Sequence, residues 1–262
     1  METGKSADEV REAASLARDC AVMKDAVTLA RWIATGRRQV TTRRVLRKAD
    51  IAEAGTVLGV EVPARLRTMS DIRGLHRPWC MAVAAGLLSV QDGWVTAGPA
   101  LDAWPSGDDA GLLRDWLAGL RAVCAAESYP QEATSVQMLV LALLTVLDDT
   151  AGSGKDLFKR MIRVLDSLDD LLDQESWSLL HAAGRYYDLE NEDPVAGLVE
   201  LLAGFGMLTA RARTRKLTPL GRWARKQLRD DLPLPVPVDV TPAEVIAAAA
   251  RFEHWEDRDR VA

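Results

Sequence analysis

Apolar residues recur at helical spacing through most of the chain, and short β-like segments interrupt them twice. Val22, Ala26, Leu29, Ala30 and Ile33 mark one helix face, and Gly36 stops that helix. The preceding twenty residues lack a clear apolar stripe and read as frayed helix. Residues 37–48 alternate loosely and carry β-branched residues, which predicts a short strand. Asp50 is placed to cap a helix over 51–58, because its carboxylate accepts an otherwise unpaired amide, and Gly59 ends it. Ser70 or Asp71 starts a further turn. Leu75, Trp79, Val83 and Leu87 then share one face at spacing four, with regular helix expected to begin near Pro78. Asp92-Gly93 stands between Leu88-Ser-Val and Trp94-Val-Thr, a two-residue hairpin signal, since both turn positions need positive φ.

Beyond a loop at 105–110 the pattern is helical. Leu112, Leu113, Trp116, Leu117, Leu120 and Val123 form one stripe. Residues 136–147 are almost wholly apolar, too short to span a bilayer and too apolar to be exposed, so they predict a central buried helix. Leu157, Phe158, Met161, Ile162, Leu165, Leu168 and Leu172 form the stripe of the next. Helices are expected over 176–188 and 194–203, the latter with Asp193 as cap and Pro194 at its first position. A second hairpin at 207–218 leads into a helix over 219–229. Four prolines then define a linker at 232–242, before a last short helix at 243–255.

The two hairpins belong to one repeated pattern. Residues 86–104 and 206–223 each have a Gly ending a helix, then Leu-Leu-Ser or Met-Leu-Thr and a short turn. Each closes with Val-Thr or Leu-Thr, then Pro and a helix reaching Trp. Helix, hairpin and helix in that order form the closing half of a winged helix. The expected fold is therefore mainly α, with two winged-helix-like units around a helical middle. The divisions are 22–104, 110–229 and a C-terminal linker with helix at 230–262. Winged helices most often bind nucleic acid or another protein.

Length and composition agree with this reading. The 262 residues exceed the usual single-domain size. The polar N-terminus does not resemble a signal peptide, and the expected location is the cytoplasm with no membrane association. Cys20, Cys80 and Cys124 are widely spaced without Cys-x-x-Cys, so they read as small buried hydrophobes. With His76, His181 and His254 scattered, no metal or cofactor is expected. The net charge of −5 hides a pattern: about +4 over 1–101, −12 over 102–200 and +3 over 201–262.

Several motifs invite chemistry and do not sustain it. Gly152-Ser-Gly-Lys155 suggests a phosphate loop, but Asp149 and Asp156 stand where the first glycine and the hydroxyl belong. Asp166, Asp169, Asp170 and Asp173 share a helix face and read as a solvated acidic surface. Tyr186, Tyr187 and His181 have apolar helical neighbours. No nucleophile elbow or dinucleotide loop is present, and the chain reads as non-catalytic.

Two acid-free basic clusters remain. Arg31, Arg37, Arg38, Arg43, Arg44, Arg47 and Lys48 form the first. Arg211, Arg213, Arg215, Lys216, Arg222, Arg225, Lys226 and Arg229 form the second, on the second hairpin and its helix. Arginine pairs well with phosphate. The helices at 75–87 and 194–203 occupy the recognition positions, where Arg73, His76 and Arg77 are the best candidates to reach base edges. DNA is the expected partner, in a regulatory role. The alternative is a scaffold that dimerises or presents its winged helices to a protein.

Arg-x-Val-Thr at 38–41, Val-Leu-Arg-x-Ala-Asp at 45–50 and the helix-plus-hairpin at 75–97 resemble a region of uncharacterised actinobacterial proteins. Some of those join it to a plasmid-type open-reading-frame domain, which has no counterpart here. The resemblance covers about the first 105 residues and, more weakly, 176–225. It implies winged-helix architecture and a high-GC bacterium, and no catalytic residues.

Overall fold

The computed structural model describes residues 2–105, 108–127, 135–149, 154–166, 195–209 and 215–230. The described chain is mainly helical with one small antiparallel sheet. Its elements are α1 (Glu2–Asp19), α2 (Ala21–Ala34), β1 (Arg38–Gln39), α3 (Lys48–Leu58), α4 (Arg73–Ala84), β2 (Leu88–Gln91), β3 (Trp94–Ala97) and α5 (Ala100–Ala103). After these come α6 (Asp109–Glu127), α7 (Ser135–Asp149), α8 (Gly154–Asp166), α9 (Ala196–Gly204) and α10 (Pro219–Asp230). The expected helices at 176–188 and 243–255 and the proline-rich linker lie outside the described residues. Among the described residues no helix is long and apolar enough to cross a membrane.

The sheet has the order β1-β3-β2. Leu88 pairs with Ala97 and Gln91 with Trp94, which leaves Asp92-Gly93 as the turn. Both turn residues have positive φ, 49° and 77°, as the dipeptide predicted. β1 adds to the far edge of β3, Arg38 opposite Val95 and Gln39 opposite Trp94.

The repeat is visible at both ends of the second hairpin. Gly86, Leu88, Ala97 and Pro99 correspond one for one to Gly206, Leu208, Leu217 and Pro219. Gly86 and Gly206 both follow a helix end, with φ of 67° and 74°, which a glycine adopts without steric cost. Leu208 bridges Leu217 as Leu88 pairs with Ala97. The Thr218 amide donates to the Met207 carbonyl at 3.0 Å, as Gly98 donates to Leu87 at 2.8 Å. The tip at 210–214 lies outside the described residues.

Three local expectations change. Residues 2–19 form one packed helix rather than a frayed one: α1 buries Ala13, Ala14 and Ala17 completely, and packs on α6 and α10. A face of alanines buries little area each, so it reads as neutral in sequence, yet it permits close helix approach. Asp50 lies in the first turn of α3 rather than at its cap, which is Arg47. There its charge still favours the helix N-terminus. Pro78 sits inside α4 rather than near its start. The helix begins earlier because Thr68 and Asp71 close a capping box around the short turn Met69–Asp71 just before it.

The apolar core runs without a break from α1 and α2 through α4 and α6 to α7, α9 and α10. The apolar stripe of α6 is buried as its spacing predicted, and α7 is buried nearly all round. At the centre Trp116 of α6 meets Phe205 and Trp223 edge-on, with ring centroids 5.7 and 6.3 Å away. Where α6 crosses α4 the helices approach closely: a Cβ on Gly119 would overlap the Met81 sulfur.

Candidate nucleic-acid interface

The first basic cluster runs from the end of α2 through β1 and the turn after it to the start of α3, and the fold gives its arginines different tasks. Val40 and Leu46 are buried and bridge one another, so the chain between them turns back at the surface. That turn is held by the Thr41 N–H donating to the Val45 carbonyl (2.8 Å) and by the Arg44 N–H donating to the Thr41 carbonyl (2.8 Å). Arg44 takes a positive φ of 58° there. Its guanidinium donates to the Val90 carbonyl at 3.1 Å, while its own carbonyl accepts from the Trp79 indole at 3.1 Å. Arg37 stacks over the Trp94 ring, 4.3 Å from its centroid. Arg31, Arg43, Arg47 and Lys48 are exposed.

Arg38 does not join this surface. Its guanidinium lies 4.1 Å over Trp32 and pairs with Asp50 at 3.4 Å and Glu53 at 3.5 Å. Glu53 in turn accepts from the Trp32 indole at 2.9 Å. These four side chains tie β1 to α2 and α3, a structural task that leaves little of Arg38 for a phosphate.

The recognition-helix expectation fails for α4. Leu75 through Trp79, Met81 and Ala82 are all buried, because α2 covers one side of the helix and α6 the other. Arg77 is among them. Its Nε donates to Glu127 Oε1 at 2.5 Å and its Nη2 to Oε2 at 3.2 Å, a two-pronged pair, and Nη1 reaches Glu200 at 3.1 Å. Its side chain is 6% exposed and that of Glu127 7%, so Arg77 bridges α4, α6 and α9 and cannot reach a base edge. His76 is likewise buried, with Nε2 3.5 Å from Ser70 Oγ and 3.6 Å from Cys80 Sγ. Arg73 is half-buried. In α9, Gly197, Leu198, Leu201 and Leu202 are buried, and its exposed residues are Glu200 and Ala203.

The Cys80–His76 approach does not make a nucleophile. Burial, with the Glu127 charge behind it, pushes the Cys80 thiol up to about 12. Cys124, fully enclosed, is pushed to about 12 in the same way. Neither holds thiolate at neutral pH. Among the described residues no three His, Cys, Asp or Glu side chains converge to hold a metal ion.

Burial also lowers the pKa of His76 from its ordinary 6.5; Glu127 opposes the shift and Arg77 adds to it. The folded chain therefore binds this proton less readily than the unfolded chain. Stability from His76 is fully present above about pH 6.5 and declines as the pH falls through that value. Chemical denaturation at pH 7 and pH 5.5 should show a drop in midpoint for the natural chain and a smaller drop for His76→Gln. Asp25 and Asp115, raised by burial, act with opposite sign but in the more acid carboxylate range. Equal drops in the two proteins would show that His76 is charged in the fold.

The second basic cluster is described in part. Lys216 and Arg222 are exposed, and the Arg222 guanidinium donates to the Leu217 carbonyl at 3.1 Å. Arg215 is half-buried. Arg225 is not at the disposal of a ligand: it pairs with Asp148 of α7 at 2.6 Å. Arg211 and Arg213 lie outside the described residues.

Sequence reasoning missed the Trp94–Arg37 stack. The residues signal it only through register, since β1 pairing with β3 brings the end of one strand beside the start of the other. Comparison with protein-family models, with curated proteins and with solved structures finds no match for this chain.

Proposed function

We propose that this chain is a non-catalytic regulatory protein that binds nucleic acid, DNA foremost, through the basic surface around its sheet. We read α2, β1, α3, α4, β2 and β3 as a winged-helix-like unit; their order and the β1-β3-β2 sheet support that reading. The observation that carries the proposal is the exposed, acid-free cation set on 31–48. Arg31, Arg43, Arg47 and Lys48 are exposed and have no acidic partner among the described residues. With α4 enclosed, contact through this surface is to the phosphate backbone, which positions a protein without specifying sequence.

The test is titration of duplex DNA at several salt concentrations. Affinity should fall linearly in log K against log[salt]. The triple variant Arg43→Ala/Arg47→Ala/Lys48→Ala should flatten the slope by up to about 2.7, at roughly 0.9 for each phosphate no longer neutralised. Its folding should hardly change, since exposed charges contribute about 0–1 kcal/mol. An unchanged slope in a folded triple variant would remove this surface from the interface. The second reading, a protein-interaction scaffold or homodimer, is favoured by the enclosure of α4 and the pairing of Arg225 with Asp148. Absence of any DNA binding at low salt, with a dimer mass in solution, would establish it instead.

A further inference from the structure

The outward face of the sheet adds a second kind of contact, one suited to a base rather than a phosphate. Val95 is completely buried, so its neighbours Trp94 and Thr96 on β3 point away from the core. Cross-strand pairing then puts Gln91 and Ser89 of β2, and Gln39 of β1, on that same outward face. Gln91 and Thr96 are exposed, and Trp94 is half-buried. The face is thus one indole flanked by two primary amides and two hydroxyls, with Arg37 stacked on the ring at 4.3 Å.

The ring is half-buried, and the amides and hydroxyls beside it offer donors and acceptors to a ligand. The guanidinium shows that the indole face admits a flat group. No acid holds Arg37 in place among the described residues, and an exposed guanidinium–indole stack is weaker than a base–aromatic stack. Within a duplex both faces of a base are covered by its neighbours, so only an unpaired base can take this position.

We infer that the outward face of β1-β3-β2 binds single-stranded nucleic acid, with one unpaired base stacked on Trp94 in place of Arg37. Gln39 and Gln91 supply hydrogen bonds to the base edge. Arg37, displaced from the ring, joins Arg43 and Arg44 on the strand's phosphates. Asp92 in the turn is the one acid of the β2–β3 hairpin, and it sets the limit of the phosphate path. This inference rests on the nucleic-acid reading above, and it adds contact with an unpaired base to the phosphate contacts proposed there.

The experiment compares a labelled oligothymidylate and a duplex of equal length, by fluorescence anisotropy with the full chain. Trp94→Thr keeps a β-branched strand residue and removes the ring; Trp94→Phe keeps a ring. Trp94→Thr should weaken oligothymidylate binding by about tenfold, the effect of unstacking one base. It should change duplex affinity less than twofold, and Trp94→Phe should recover most of the difference. Equal effects on both ligands, or none on the single strand, would overturn the inference. Duplex binding without single-strand binding by the natural chain would overturn it too, while leaving the nucleic-acid reading intact. Binding to neither would overturn both. Photocross-linking of a strand carrying 5-iodouridine to the natural chain needs no substitution. Peptide mapping should place the adduct at Trp94, and adducts confined to other segments would count against the site.

Discussion

Glu127→Ala should destabilise the chain by about 3–5 kcal/mol, the range seen when one partner of a buried ion pair is removed. The Arg77 guanidinium would stay enclosed between α4, α6 and α9 without the carboxylate that holds two of its nitrogens. Glu200 still reaches it at 3.1 Å, but the Glu200 side chain is 66% exposed and its charge is screened by water. That residual pairing places the effect toward the lower end of the range. Arg77→Met should destabilise at least as much, since Glu127 would then be buried with its principal partner gone. The double variant Arg77→Met/Glu127→Leu should recover most of either decrement, because an apolar pair of similar volume has no desolvation penalty to offset. Urea denaturation with a double-mutant cycle measures this. Single-variant effects below about 1 kcal/mol would mean that water reaches the pair.

Trp116→Ala is the other large change, at about 3–5 kcal/mol. Trp116 is completely buried and its ring meets both Phe205 and Trp223. Truncation removes both edge-on pairings and leaves a cavity where the first and last thirds of the described chain meet. Trp116→Phe should cost far less. Among the described residues the indole N–H has no oxygen or nitrogen acceptor, and the weak Cys20 thiol is set beside it. Deleting that buried, poorly satisfied donor offsets part of the reduction in buried area. Calorimetry should show the Ala variant melting well below the Phe variant. Similar melting temperatures for the two would mean that the surrounding side chains close over the vacancy.

The parts of this fold legible in sequence are those that local physics decides. The Asp92-Gly93 turn follows from backbone sterics, and the stripe of α6 from its helical period. The repeat is legible because glycine and proline recur in register around both hairpins. What is not legible depends on partners far along the chain. Arg77 is the same residue type as exposed Arg43; it differs in having Glu127 and Glu200 around it, 50 and 123 residues away. The burial of α4 follows from α6 docking over it, which no periodicity within α4 can announce. α1 reads as frayed because its buried face is alanine. Arg37 and Trp94 are each ordinary in sequence, and strand register alone joins them.

The enclosure of α4 decides how the protein can be dissected. Binding sites are commonly studied in excised fragments, and the end of α5 near residue 104 invites such a cut. A fragment ending there would strip α6 from α4 and from α1 together. It would bare the Met81 side of one helix and the alanine face of the other, and leave Arg77 without either acid. Such a piece would offer adhesive surface to its own copies, and aggregation would mask any affinity for nucleic acid. The basic surface belongs to the first hundred residues, but its scaffold extends through α6.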